Sequence, residues 1–480
     1  MAEFLTPDIC VIGGGAGGIA VATRARALGA SVLLIDKGPL GGDSLNAAAL
    51  PSKALVAAAR RAHLIRTAAA FGIAVAEPKI NARGVFDHVH DIVEGIAPAV
   101  TPEHLLALGI DLLGGQARFV DRRTVLVGDQ LVRARRFVIA TGSRPYVPEI
   151  KGLDHVPFFT SASIFDNPRK LTHLVVIGGG PVGIELAQAF RRLGSDVTVV
   201  EIGRPLADCD PELADIALRA LREEGVAIRT DAVVAAVEAR SLGIGVTVRQ
   251  GEMEEVIDAS HILVATGRLP NLDGLDLGKA GIRRRKKGTP YLALKADLRT
   301  TNPRVHAIGD AAGGAQHTHA ATYHAGLVVE SALLRRRVRN DPYLVPSAIF
   351  TDPEIAEVGL TEPELKERKR GDYRVLRLSF AENDRARAER QAFGLAKIVL
   401  DQGERLLGAG IAGPGAAEMI SLFAFAIANG LSIRHFRNFV PPYPTLSEIV
   451  RGLGEEAARR ERRPAIVDKL RALRRRLPWQ

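Results

Sequence analysis

Cysteine is scarce in this 480-residue chain: there are two, Cys10 and Cys209, too few for a disulfide framework. Cys10 lies in an apolar strand pattern and Cys209 in a Pro/Asp-rich turn, so both read as structural, and the chain suits a reducing, cytoplasmic setting. Long hydrophobic runs are missing too. No stretch reaches the roughly eighteen consecutive apolar residues of a membrane span, and the apolar N-terminal segment is broken by Asp8 and a glycine cluster rather than leading to a cleavage site. The expectation is a protein neither secreted nor integral to a membrane. Stacking aromatics are few, with six Tyr and one Trp. The net charge is +10, but residues 451–480 hold ten Arg/Lys against four Asp/Glu and so carry +6 of it. The nearly balanced body offers no basic, aromatic-lined groove for nucleic acid.

What the chain has is apolar content, 47% of its residues. A chain of this length can bury more than one core, so two or three domains is the natural expectation. Residues 8–36 read as strand, turn, helix and strand: Ile9-Cys10-Val11-Ile12, a glycine turn from Gly13 to Gly18, an alanine-rich helix, and Ser31-Val32-Leu33-Leu34-Ile35-Asp36. In this Rossmann order Gly13 permits the tight turn, Gly15 lets a pyrophosphate approach the backbone, Gly18 lets helix and sheet pack closely, and Asp36 would accept hydrogen bonds from a ribose. One such glycine pattern is weak evidence. It recurs, however, from Leu174 through Gly178, Gly180 and Gly183 to Glu201, and Gly13 to Asp36 and Gly178 to Glu201 are both steps of 23 residues.

A second repeat follows each fingerprint, Phe137-Val138-Ile139-Ala140-Thr141-Gly142-Ser143-Arg144-Pro145 and Ile262-Leu263-Val264-Ala265-Thr266-Gly267-Arg268-Leu269-Pro270. Each is a buried strand running into a small-residue turn that can lie against a dinucleotide. Two complete units imply two dinucleotides and electron transfer between them. Glu201 ends the second unit's second strand, where a carboxylate bonds a 2′-hydroxyl and repels a 2′-phosphate, which favours NADH over NADPH; Arg204 partly offsets that repulsion.

With these motifs, residues 5–452 resemble a class I pyridine-nucleotide disulfide oxidoreductase of the dihydrolipoamide dehydrogenase and mercuric reductase branch. The resemblance implies an α/β fold: two Rossmann-like dinucleotide-binding domains, for FAD and NAD, and an α+β dimerisation domain. It divides the chain into a FAD-binding first part (1–150), an NAD(P)-binding domain (151–275), a FAD-binding return segment (276–345), a homodimerisation domain (346–452) and a basic tail (453–480). FAD would be held by Gly13, Gly15, Gly18, Asp36, Gly42, Asp43, Lys53, Thr141 and Gly142. Asp310 would take its ribityl chain, Ala117 its adenine, and His319-Ala320 would begin a helix facing the flavin pyrimidine edge, where a helix N-terminus favours the anionic reduced ring. Gly178, Gly180, Gly183, Glu201 and Gly267 would bind NAD. Lys53, expected on a helix over 54–62 that follows Pro51-Ser52, would point at flavin N5 and pair with Glu185. The resemblance also puts Ser44 and Ala49 where the redox cysteines belong, and Tyr443 at the position of a catalytic histidine. Glu448 stands at that histidine's partner position, but Thr445-x-x-Glu448 is equally a capping-box signature.

A thiol-disulfide mechanism needs a thiolate and a base, and this pattern supplies neither. The expected activity is therefore NADH oxidation with direct transfer from flavin to a small, quinone-like acceptor, with Lys53, Glu185, Tyr443 and Glu448 as site residues. The alternatives are a transhydrogenase or a catalytically silent FAD-binding partner or regulatory protein. His317, His319 and His324 lack metal-ligand spacing, so no metal is expected. In the tail, Ile466, Leu470, Leu473 and Leu477 form one helical stripe among arginines. That stripe suits either peripheral contact with an anionic membrane or folding back on the dimer.

Overall fold

Valine, isoleucine and leucine dominate the strands of the two fingerprints, the pattern of strands covered on both faces. The computed structural model describes residues 4–286, 288–368 and 371–459, so the stripe expected at Ile466, Leu470, Leu473 and Leu477 lies outside the described residues. The chain forms two compact units, the first running to Asp208 and resuming over Leu218–Val345, the second comprising Cys209–Ala217 and the chain from Pro346. Among the described residues no helix is long and apolar enough to cross a membrane.

In the first unit, Ile9–Ile12 occupies the centre of a parallel sheet ordered Val305–Ala307, Arg136–Ile139, Ile9–Ile12, Val32–Asp36, Asp111–Gly114. The chain leaves the central strand toward one neighbour and returns later on the other side, so a crevice opens at its carboxyl end. Helix Ala16–Ala27 makes the first crossing; Val21, Ala22 and Ala25 are buried, and Arg24 and Arg26 sit in its last turn, where cations complement the helix dipole. With Thr318–Ala332 it covers one face over a core of Ile9, Val11, Leu34, Val138 and Val328. A four-stranded sheet that includes Ala117–Phe119 and Val125–Val127 covers the other face over Cys10, Ile12, Phe119 and Phe137. Each such side chain contributes about 1.5–3 kcal/mol on full burial.

The plan repeats. Strands Phe159–Thr160, His261–Val264, His173–Ile177, Asp196–Val200 and Ala227–Arg229 form a second parallel sheet, with Pro181–Arg192 as its crossing helix. An antiparallel meander, Val233–Arg240, Gly243–Gln250 and Met253–Ala259, shares a core with it through Val175, Ile177, Val237 and Val246. The two strand-and-turn repeats of the sequence meet directly, Ser143–Pro145 pairing antiparallel with Arg268–Pro270.

The second unit is an antiparallel sheet ordered Ser347–Ile349, Glu354–Gly359, Leu406–Gly413, Leu395–Asp401, Tyr373–Ser379, sharing one core with helices Ala416–Ala428 and Glu448–Arg459. Helix Glu448–Arg459 runs through the boundary expected at 452, and 209–217, expected within the NAD-binding segment, belongs to this unit. A buried ion cluster explains the attachment of 209–217. Lys397 Nζ, 4% exposed, lies 2.7 Å from Asp210, 2.9 Å from Glu212 and 2.8 Å from Glu362, and Arg377 bonds both glutamates. Arg377, foremost, and Lys397 hold the Glu212 carboxyl down to about 2. Glu362, against the upward push of burial, is held down to about 2 by Lys366 and Lys397.

Glu357 accepts the Asp210 N–H at 2.9 Å. Burial pushes its carboxyl up from 4.5 to about 7, with that hydrogen bond opposing. A folded-state value above the unfolded one stabilises fully below about 4.5 and is lost as pH rises through about 7. Glu212 and Glu362 have the opposite sign, stabilising above their ordinary 4.5 and losing that contribution as pH falls toward 2. Glu357→Gln should therefore flatten the decline of the thermal midpoint between pH 5 and pH 8, an effect of about 3 kcal/mol at most. Parallel decline of wild type and variant over that range would contradict the assignment.

Candidate active site

The two glycine turns share one construction. A Cβ on Gly13 or Gly178 would lie 2.3 or 2.5 Å from the carbonyl oxygen of Ala140 or Ala265, and one on Gly18 or Gly183 would lie 1.8 or 2.1 Å from the oxygen of the turn's first glycine. Any side chain there would force the helix off the strand. The middle position is different: at Gly180 nothing stands within 4 Å, and at Gly15 only the Gly42 Cα does, at 3.8 Å. First and last glycines are thus demanded by the protein's own packing, while the middle one leaves open space at a helix N-terminus, the fit expected for a dinucleotide pyrophosphate.

The acids that end the second strands hold these turns in place. Asp36 accepts the N–H groups of Gly14 and, at 2.7 Å, of Gly38. Glu201 does the same for Gly179 at 2.5 Å and Gly203 at 3.1 Å. Beyond the ribose contact expected of them, both carboxylates thus shape the backbone that a ribose would meet.

Lys53 lies in the first turns of a helix that spans Ala49–Thr67, longer at both ends than the expected 54–62; it starts earlier because Pro51 falls in the first turn, where its missing N–H costs no intrahelical bond. Its ammonium is 2.7 Å from Glu185 Oε2, with side-chain exposures of 35% and 6%. Glu185 is carried by Pro181–Arg192, so the pair ties the helix after one fingerprint to the crossing helix of the other. Ser44, on the short helix Gly42–Asn46, shares a 2.6 Å hydrogen bond with the Thr318 hydroxyl, and Ala49 is exposed at the start of the next helix.

A second hub was not anticipated from the sequence. Arg268, 14% exposed, pairs with Asp43 and donates to Ser143 Oγ at 2.7 Å; Ser143 in turn donates to Asp310 at 2.5 Å. Burial raises the Asp310 carboxyl above its ordinary range, while the Ser143 hydroxyl and the Arg268 guanidinium pull it back. The repeat aligns Arg268 with Ser143, the residue it bonds, while Arg144, one position further on, bonds Asp273 at 2.8 Å. Thr141 donates to the Asn271 carbonyl at 2.6 Å, fixing the turn at Gly142, and Gly267 likewise has open space where a side chain would stand.

At the start of Thr318–Ala332, Ala320 is buried, His319 is exposed, and the His317 and His319 rings stack with centroids 5.1 Å apart. Burial, then His319 and Lys53, push His317 down to about 4. His324 supports the fold, its Nδ1 accepting the Gly309 N–H at 3.1 Å and so bracing the turn that carries Asp310. Ala117 is 2% exposed within the core, so its backbone is the part a ligand could reach. Among the described residues no three His, Cys, Asp or Glu side chains are arranged to hold a metal ion.

Tyr443 and Glu448 belong to the second unit. Tyr443, 72% exposed, donates to Asp384 at 3.1 Å, and that bond raises its phenol above the ordinary range. Glu448 is the first residue of its helix and accepts the Thr445 N–H at 3.4 Å, while the Thr445 hydroxyl turns to the Pro442 carbonyl at 2.8 Å. Half of a capping box is therefore present.

Comparison with known proteins agrees with this fold. A family model described as pyridine nucleotide-disulphide oxidoreductase matches residues 7–325, and the corresponding dimerisation domain matches residues 345–461. The chain is 34% identical to a mercuric reductase from Streptomyces lividans over 92% of its own length and 94% of that protein's. It is 35% identical to a dihydrolipoyl dehydrogenase from Thermus scotoductus, covering 94% and 97% respectively. Among solved structures, the HOCl-induced flavoprotein disulfide reductase RclA from Escherichia coli superposes with a TM-score of 0.80 at 26% identity, over 93% of this chain and 99% of that one.

Removing Lys53 takes the ammonium away from a carboxylate that is 6% exposed. Lys53→Met is expected to cost about 2 kcal/mol, reduced from a fully buried pair by the exposure of the lysine. Glu185→Gln, whose amide oxygen still accepts from the ammonium, should cost less. Urea unfolding of both variants checks this order, and equal costs would contradict it.

Proposed function

The chain belongs to the pyridine nucleotide-disulphide oxidoreductase family, and on that premise we propose that it is a homodimeric, FAD-containing NADH oxidoreductase that delivers electrons directly to a small, flat acceptor of the quinone class, with no disulfide relay. The observation that carries this reading is the segment 41–53. It keeps the Lys53–Glu185 pair at 2.7 Å but presents a hydroxyl at Ser44, engaged by Thr318, and a methyl at Ala49. The chain's two thiols offer no substitute. Cys10 is fully buried in its strand, where burial drives the thiol strongly upward, and the Cys209 thiol is engaged by the buried Glu357 carboxyl.

Bound FAD would supply the two-electron exchange between nicotinamide and acceptor. The chain's own groups prepare it. Lys53 holds a positive charge where reduction leaves negative charge, and Glu185 offsets the cost of desolvating it. The open middle glycines, Gly15 and Gly180, admit the two pyrophosphates, and Asp310 with Asp43, braced by Ser143 and Arg268, is assigned to the flavin side chain. Glu201 disfavours a 2′-phosphate, which supports NADH over NADPH. Tyr443 is assigned as proton donor to the acceptor, since its phenol is exposed and protonated near neutral pH. Neither the mercuric reductase nor the dihydrolipoyl dehydrogenase activity named for the relatives is carried over, because thiol-disulfide chemistry needs thiols that positions 44 and 49 lack.

Electron counting tests the reading. In an anaerobic dithionite titration, the flavin-loaded protein should accept two electrons per FAD and bleach fully at that point. Uptake of four electrons would reveal a second redox group and overturn the proposal.

A further inference from the structure

The edge of the first parallel sheet where its strands begin, opposite the glycine turn, carries a group of cations that the proposed reaction does not use. Arg136 opens the strand Arg136–Ile139, and its neighbour strand places Val305 beside Phe137 and His306 beside Val138, so Arg304 falls next to Arg136. The Phe137 N–H donates to the Arg304 carbonyl at 2.9 Å. Arg299 faces His306 across an antiparallel bridge. Register partners and alternate residues share a sheet face, so Arg136, Arg304, His306 and Arg299 lie on one face, the one covered by Thr318–Ala332.

That helix delivers a fourth arginine. The Arg336 N–H returns to the Glu330 carbonyl at 3.1 Å, and Arg335 takes the left-handed position of this C-terminal turn, φ 54°. Glycine is the usual occupant, and a side chain there costs about 1–2 kcal/mol. The guanidinium of Arg136 is depressed by burial and then by the charges of Arg304, Arg299 and Arg335, so each of these three cations acts on it. The counter-charge is Asp297, which bonds Arg299 at 2.5 Å. His306 is 1% exposed, and neither of its ring nitrogens has a hydrogen-bond partner. A buried polar atom left unpaired costs free energy that a ligand can return.

We propose that Arg136, Arg304 and Arg335, with His306 behind them, form a site for a small, multiply charged phosphate anion such as pyrophosphate or a phosphoryl group. Guanidinium forks match phosphate oxygens with paired, charge-assisted hydrogen bonds, and a doubly charged anion offsets the excess positive charge better than a carboxylate does. The imidazole offers the anion one donor. The site lies at the opposite end of the first sheet's strands from their glycine turn, so it is separate from the proposed reaction.

The test uses full-length, flavin-loaded protein and calorimetric titration with pyrophosphate, ionic strength being matched with chloride. Saturable binding is expected, together with a raised thermal midpoint. Arg335→Gly, which places glycine in a conformation it prefers, should fold at least as well, weaken binding about tenfold and leave flavin reduction by NADH unchanged. Arg136→Ala with Arg304→Ala should abolish binding. Pyrophosphate acting no differently from chloride, or equal affinity in wild type and Arg335→Gly, would overturn the site. So would binding to phosphatidylglycerol vesicles with none to free pyrophosphate.

Discussion

An ammonium and a carboxylate 2.7 Å apart, the carboxylate nearly buried, join the helix Ala49–Thr67 to the helix Pro181–Arg192. As a source of stability such a pair is poor, because desolvating both charges consumes most of what their attraction returns, and apolar replacements of equal volume do as well or better. Its retention is better explained by a need for charge at that point. Lys53 supplies that cation, and Glu185 makes its partial burial tolerable. The rest of the first unit serves to hold this pair and the two glycine turns in register.

The hub around Arg268 complements the pair. It gathers Asp43, Ser143 and Asp310, three groups from separate segments, around one guanidinium whose exposure is 14%. A partly buried carboxyl such as Asp310 is costly when left alone, and here a hydroxyl and a guanidinium meet that cost. The consequence is a polar wall with little rotational freedom, the preorganisation that a bound cofactor needs if its reacting ring is to be placed reproducibly. The second unit uses ion pairing for attachment: Lys397 secures 209–217 to the sheet.

Features governed by local sterics were legible in the sequence. The glycine spacing and the acid 23 residues on are visible because a Cβ at Gly13 or Gly18 would strike backbone a few ångströms away, whatever the rest of the chain does. The same holds for the buried strands, whose composition reports two covered faces. Long-range polar contacts were not legible. Arg268 and Asp43 are 225 positions apart and Lys397 and Asp210 are 187 apart, and nothing in either neighbourhood announces the partner. The second role of Asp36 and Glu201, holding the glycine turn itself, was hidden for another reason: it involves backbone N–H groups, which every residue has. The helix carrying Lys53 extends beyond its sequence-based expectation because Pro51 suggests a boundary, yet proline is tolerated in a first turn.

A protein that keeps the cation at position 53 while lacking thiols at 44 and 49 is expected to be reducible at its flavin and to lose those electrons directly to what binds there. The most direct measurement is a double-mixing experiment without oxygen: NADH is added to the yellow protein, the flavin band is followed, and a quinone is then introduced. NADH should bleach the band rapidly, and the band should recover at a rate that rises with quinone concentration. A flavin that NADH leaves oxidised, or a reduced flavin that the quinone does not reoxidise, would contradict direct transfer.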